Sequence, residues 1–355
     1  MKKVLSVVVL IINIVFVVLY FVSTLAGVVK PSQCVWVSLL SYCYVVFLVI
    51  NVGFVLFWLF FSNKYFLVSL LAILVRYAFV PLYYQTSGTD NPTDERFLRF
   101  MTFNVHHFTR EDDACLQTIA LVDDKNPDVI CFQEFASKPG KISVYDTLRM
   151  RGYKYNYSHV KWKNTPRGTT IFSKYPIISK GRVDSNRCIY VDLKLPNDTL
   201  RVYNVHLASY RLDNEDKDEL ERLKHGDMTE RSEKTLHKFK TTALAHEAEL
   251  EQLISHIGSS PYRSVMCGDL NDTPASYTYQ QLKDLYVDSF VKKGEGLSTT
   301  YNGVFPAFRI DYILHHKGLI TDSYKRLKVD ISDHYPVFVS IEIPELCNSE
   351  SDTDA

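Results

Sequence analysis

Charge is missing from long stretches at the start of the chain. Val4 to Val29 and Pro31 to Asn63 hold no charged residue, and Val35 to Phe61 is the apolar heart of the second stretch. About 20 apolar residues suffice to cross a bilayer, so both runs predict transmembrane helices with room for tilt. Tyr65 to Tyr84 is a third, weaker run, broken by Arg76 and then Pro81. Either Arg76 snorkels and this run crosses, or the run lies in the interface; three crossings are preferred. Lys2 and Lys3 would also suit a cleaved signal peptide, but the length of the first run and the runs behind it favour a retained anchor. Residues 1–84 therefore read as an all-α transmembrane hairpin or three-helix anchor, with spans over 4–29, 35–61 and 65–84. The turn-rich segment QTSGTDNPTDE starting at Gln85 predicts a linker over 85–96.

From Phe97 onward the pattern changes to short β-branched and aromatic runs. They fall at Phe97–Val105, Val129–Phe132, Thr169–Phe172, Cys188–Leu195, Leu200–His206, Ser264–Cys267, Arg309–Leu314 and Val337–Ile343. Several are apolar at consecutive positions, as in strands buried on both faces. Helices are predicted over Cys115–Asp124, over about Glu233–Ile257 from one apolar stripe, and over Pro274–Leu285 with proline at its start. This mixture predicts an α/β domain of two packed sheets over 97–345, followed by a polar tail over 346–355.

Composition as a whole is that of an ordinary globular protein, with 40 basic and 40 acidic residues. The balance conceals a split. Residues 1–90 hold five basic side chains (Lys2, Lys3, Lys30, Lys64, Arg76) and one acid, Asp90, which leaves 35 basic against 39 acidic for 91–355. The positive-inside rule puts Lys2, Lys3 and Lys64 in the cytoplasm and, with three spans, the soluble domain outside it. With only two crossings the domain would be cytoplasmic. Seven cysteines, odd in number and without a CxxC pair, indicate neither a zinc site nor a disulfide framework. Nothing points to a protein partner.

The chemistry lies where apolar strands end. Phe103 leads into Asn104, Phe132 into Gln133-Glu134, Val205 into His206, and Cys267 into Gly268-Asp269-Leu270-Asn271; Ile310 precedes Asp311, and Ser332 precedes Asp333-His334. One such ending is an ordinary solvated strand end. Six in one domain can converge, because neighbouring strands lie about 5 Å apart. Carboxylates and amides suit a hard cation such as Mg²⁺, with Mn²⁺ also acceptable. Imidazoles beside it suit acid–base and electrostatic work on a phosphate ester.

The ordered set TFNV, QE, GTTIFSKYPI, NVHL, GDLND, RIDYIL and SDHYPV resembles the endonuclease/exonuclease/phosphatase superfamily of DNase I-like phosphoesterases, over about Leu98 to Ile343. The resemblance implies a four-layer α/β/β/α sandwich and a metal-dependent hydrolase. It also implies site roles. Glu134, assisted by Asn104 and with Asp333 nearby, would hold the metal. Asp269 would orient the attacking water and Asn271 the phosphate or water. His334, oriented by Asp311, would face the scissile phosphate, and His206 would be the second imidazole. Arg167 and Arg309 flank two motifs, where phosphate contact competes with a plain surface position, which is favoured. His106 and His107 read as structural or solvated. With Asn104-Val105-His106-His107 rather than Asn-Gly, and His206 rather than tyrosine, the chain is less similar to the abasic-site endonucleases of that superfamily.

The substrate stays open between a lipid or small phosphorylated molecule and external DNA or RNA; a non-catalytic binding module is a third alternative. Nucleic-acid affinity comes from clustered Lys and Arg. The one basic stretch, Arg222 to Lys240, is interspersed with acids and reads as a solvated helix face.

Overall fold

Residues 2–61, 64–86, 97–110, 113–136, 143–160, 167–183, 187–210, 230–303 and 308–344 are described by the structure, a computed structural model. They divide into two units that interleave along the sequence. The first comprises residues 1–83, 208–251 and 271–284, and the second the remainder. The division differs from a single cut at 85–96, because two segments of the soluble part pack with the N-terminal helices. Of the expected linker, Gln85 and Thr86 lie in a short strand, β1 (Tyr84–Thr86); residues 87–96 and the expected tail lie outside the described residues.

In the first unit, α1 (Lys2–Leu25), α2 (Val35–Leu40), α3 (Tyr44–Phe60) and α4 (Phe66–Val75) arise from the apolar runs, with 3₁₀ turns at Ser41–Cys43 and Tyr77–Leu82. Val4–Leu25 and Val35–Phe60 are long and apolar enough to cross a membrane, and Phe66–Val75 is a shorter apolar helix. Helices α1, α3 and α4 pack against one another, leaving Val7, Ile11, Val18, Val49 and Leu71 exposed. Polar side chains tie the inner faces together. Asn13 Nδ2 donates to Ser69 Oγ at 2.6 Å, Ser69 Oγ to Asn51 Oδ1 at 2.8 Å, and Trp58 Nε1 to Asn13 Oδ1 at 3.1 Å. Such groups must find partners within the protein if lipid surrounds it.

The same unit contains most of α7 (Glu230–Gly258) and α8 (Tyr277–Leu285). The α1–α2 loop holds α7. Lys30 Nζ lies 2.9 Å from Glu251 Oε1, and the amide and hydroxyl of Ser32 donate to the two oxygens of Glu247 at 2.7 and 2.8 Å.

The second unit holds two six-stranded sheets. The first is built from β2 (Phe97–Asn104), β3 (Val129–Ala136), β4 (Tyr155–Val160), β5 (Arg167–Ser173), β13 (Ile320–Arg326) and β14 (Val337–Glu342), in the order β13-β14-β2-β3-β5-β4. The second is built from β6 (Ile177–Arg182), β7 (Ile189–Lys194), β8 (Thr199–His206), β9 (Ser264–Asp269), β10 (Tyr286–Asp288) and β12 (Asp311–His316), in the order β10-β12-β9-β8-β7-β6. β1 pairs separately with β11 (Glu295–Leu297).

Period-two alternation assigns the faces. Phe100, Val129 and Cys131 meet Val191, Val202, Val265 and Cys267 in the core between the sheets. Met101, Phe103, Ile130 and Phe132 point the other way, under α5 (Ala114–Lys125) and α6 (Val144–Met150). On the far face of the second sheet, Tyr203 bonds His256 in the last turn of α7 at 3.0 Å. This is the expected α/β sandwich. In each sheet two parallel neighbours, β2–β3 and β8–β9, carry the polar strand ends.

Candidate metal and phosphate site

Strand register gathers the site. His206 pairs with Asp269 across the parallel β8–β9 ladder, and Asp269 pairs with Asp311 across the antiparallel β9–β12 ladder. Three chemistry-bearing residues therefore occupy one row at one sheet end. Gly268 makes the row possible. Its φ is +149°, and a Cβ there would lie 1.9 Å from the carbonyl oxygen of Val205, so only glycine lets β9 approach β8 this closely.

The other sheet supplies Asn104 at the end of β2 and Glu134 in β3. Glu134 has φ 49° and lies where the β3–β5 register slips between Phe132 and Phe135; such a bulge re-aims a side chain. Asn104 Nδ2 donates to Asp269 Oδ2 at 3.1 Å, joining the ends of the two sheets. Ser332 Oγ donates to the Asn104 carbonyl at 2.7 Å, fixing the loop that presents Asp333 and His334.

His334 is the best-defined group. Its Nδ1 is 2.9 Å from Asp311 Oδ2 and its Nε2 is 3.8 Å from Asp269 Oδ2. One ligand atom from each of these three residues falls within 4.8 Å of the others. Burial alone would lower the pKa of His334, but the carboxylates of Asp311 and Asp269, with Asp333 behind them, outweigh it and raise it to about 10. His206, also buried, has Nε2 at 3.7 Å from Glu134 Oε1 and 3.9 Å from Asp269 Oδ2.

Asn104, Glu134, His206, Asp269, Asp311 and His334 are thus linked by contacts of 2.9 to 3.9 Å, and His106 lies between Glu134 and Asp333. Asn271 belongs to the first unit, two residues along the chain from Asp269, and has φ 50°. His106 and His107, read as structural or solvated, lie beside these groups. His107 Nε2 is 3.1 Å from Glu134 Oε2, and His106 Nδ1 is 3.4 Å from Asp333 Oδ1. A left-handed turn, with φ of 42°, 57° and 54° at His106 to Phe108, turns both rings back toward the strand end. Their position two and three residues after Asn104 was the available signal. Arg187, with Nη1 3.5 Å from His206 Nδ1, had none in the sequence.

Arg309 lies neither on the surface nor at the site. It is buried, 2.8 Å from Asp288 Oδ2, with Phe290 and Tyr312 rings on it. The Arg167 side chain and residues 222–229 lie outside the described residues; Lys234 and Lys240 are exposed on α7.

Among known proteins, the endonuclease/exonuclease/phosphatase family matches residues 101–334, well over half of the chain. The chain belongs to that family. Its members are phosphoesterases and nucleases that in general use divalent metals. Residues 3–83 match a domain of unknown function, DUF8431. No curated protein matches.

Solved structures share the family fold. A Bacteroides vulgatus family member is 14% identical, with TM-score 0.51 and coverage of 70% of this chain and 99% of that one. The 3′-5′ exonuclease NExo of Neisseria meningitidis is 18% identical, with TM-score 0.51 and coverage of 69% and 100%. A Beutenbergia cavernae member is 17% identical, with TM-score 0.50 and coverage of 70% and 72%.

The residues present fit the family's divalent ion. The Glu134 carboxylate is part-exposed, while Asp269 and Asp311 are buried. Its neighbours combine carboxylate and amide oxygens with imidazole nitrogens. Carboxylate and amide oxygens suit both Mg²⁺ and Mn²⁺.

Proposed function

We propose that this family member is a membrane-anchored phosphoesterase, dependent on Mg²⁺ or Mn²⁺, that cleaves a phosphate ester by attack of water. The observation that carries this reading is the Asp311–His334–Asp269 cluster, an imidazole held between two buried carboxylates, with His206 between Asp269 and Glu134. Glu134, Asn104 and Asp333 would hold the metal, which when bound supplies positive charge against the phosphate oxygens. The chain's own groups do the rest. His334 faces the anionic phosphate, with Asp311 preventing its rotation. Asp269 accepts a proton from, or orients, the water. His206 stands opposite to stabilise charge or protonate the leaving oxygen. Asn271 would hold the phosphate or the water by its amide.

Anchoring favours a substrate met at a bilayer, such as a phospholipid head group, and the domain's excess of acid over base does not favour polymeric nucleic acid. The test uses the full-length protein in lipid nanodiscs. Bis(p-nitrophenyl) phosphate, sphingomyelin, phosphoinositides, and DNA and RNA oligonucleotides are each offered with Mg²⁺ or Mn²⁺. Expected are hydrolysis of the synthetic diester and a lipid, loss of both with EDTA, and abolition by His334→Ala in a folded protein. Hydrolysis of nothing in the set, or metal-independent hydrolysis, would overturn the proposal; preference for an oligonucleotide would overturn the lipid assignment.

A further inference from the structure

The two strands that carry His206 and Asp269 run directly into the first unit, at Ala208 and Asn271. The segment after Asp269 is held by the anchor at four points. The phenol oxygen of Tyr42 lies 2.5 Å from Asp272 Oδ1 and 3.0 Å from the carbonyl oxygen of Asn271. Thr273 Oγ1 donates to the Ser41 carbonyl at 3.3 Å, and the Ala275 amide donates to the Tyr83 hydroxyl at 3.1 Å. The segment after His206 joins the same cluster. The Tyr210 hydroxyl is 2.8 Å from that of Tyr42, and His246 bridges Asp272 Oδ2 at 2.9 Å to the Ala208 carbonyl at 2.6 Å.

Tyr42 stands in the 3₁₀ turn Ser41–Cys43, which interrupts the second apolar run between α2 and α3. Mid-helix turns of this kind mark functional or strained points. This one places a phenol against a buried carboxylate. Asn271, whose carbonyl Tyr42 meets, is in the left-handed region at φ 50°, a conformation that persists where its surroundings over-determine it.

We infer that Tyr42 is a positioning residue for catalysis, which through Asp272 and the Asn271 carbonyl fixes the segment that continues the chain directly from Asp269. The inference rests on the phosphoesterase reading and adds to it the reason that family fold and membrane unit occur in one chain. A tether would need no buried contact with the GDLND segment. Here the hydroxyl of one anchor side chain reaches two consecutive residues of it.

The test is Tyr42→Phe in the full-length protein in nanodiscs, which removes one oxygen and keeps the ring. Backbone amide exchange over 271–276 is expected to accelerate while exchange in β2, β3 and α1 stays unchanged. With bis(p-nitrophenyl) phosphate, kcat is expected to fall about 10- to 100-fold with KM nearly constant, the range for misplacing a site group by a fraction of an ångström to an ångström. Asp272→Asn should give the same pattern, and the double variant should be no worse than either single one. It also serves if Tyr42→Phe does not fold. Wild-type exchange together with wild-type kcat in both variants would overturn the inference. A wild-type protein inactive on every substrate would instead defeat the phosphoesterase reading, and the exchange measurement would still decide whether Tyr42 holds the segment.

Discussion

At the level of single residues, the sequence announces a site group when a polar side chain ends an apolar strand. Asn104, His206 and Asp269 end strands, Glu134 stands near the end of β3, Asp311 opens β12 and His334 lies in the loop before β14; strand register gathers His206, Asp269 and Asp311. His106 and His107 were not legible because their orientation depends on a left-handed turn that no propensity specifies. His246 was hidden differently. It lies on the buried stripe of the long helix, between Ala243 and Leu250, where the pattern reads as plain core, and nothing local pairs it with Asp272, 26 positions on. Both ring nitrogens face oxygen acceptors, so the geometry calls for imidazolium. Burial acts against the charge, but Asp272, then the Ala208 carbonyl and Glu249, outweigh it and raise the pKa above 6.5. Tyr42 and Tyr210 complete its surroundings. Because the folded pKa lies above the unfolded one, the stability supplied by this proton is complete below about 6.5 and is lost as pH rises through the folded value. His246→Gln should therefore destabilise the protein by about 1–3 kcal/mol near pH 6, with the gap to wild type narrowing toward pH 9. Denaturant melts at both pH values check this; a gap that is flat or widens with pH would refute the pairing.

Among elements, the strands that escaped sequence reading are a particular set. Besides the short pair β1 and β11, the strands missed were β4, β6, β10 and β13, which are the four outer strands of the two six-stranded sheets. An edge strand packs through one face and shows solvent a polar or charged one, as in IISKGR and ITDSYKR, so it never forms the apolar run that marks a central strand. The anchor shows the converse. Its runs were plain, but the residues that select helix partners are the few polar ones inside them. Asn13 serves Ser69 on α4 and Trp58 on α3 at once. Asn13→Ala is expected to weaken the bundle by about 1–2 kcal/mol, the range for interhelical hydrogen bonds in membranes. Unfolding the full-length protein in mixed micelles measures this, and an unchanged midpoint would mean the ladder contributes no net stability.

At the scale of the molecule, the anchor contacts favour three crossings. The α1–α2 loop, at Lys30 and Ser32, and the end of the third segment, at Tyr83, both touch soluble segments of the first unit, at Glu247 and Ala275. If α4 did not cross, Tyr83 would remain on the side of Lys64, a bilayer's thickness from Ser32. The third segment can reach. Ten α-helical residues and six in 3₁₀ conformation rise about 27 Å together, close to the hydrocarbon thickness. The 3₁₀ stretch supplies length that an α-helix of equal residue count would lack. Lys2, Lys3 and Lys64 then share one face and Lys30, paired with Glu251, the other, which the positive-inside rule makes the outer one. Green fluorescent protein and alkaline phosphatase, each fused after Lys64 and after the last residue, should report opposite sides. Fluorescence is expected after Lys64 and phosphatase activity at the C-terminal end. The same side for both positions would reduce the anchor to two crossings, and the shared contacts at Ser32 and Tyr83 would then need a different membrane placement.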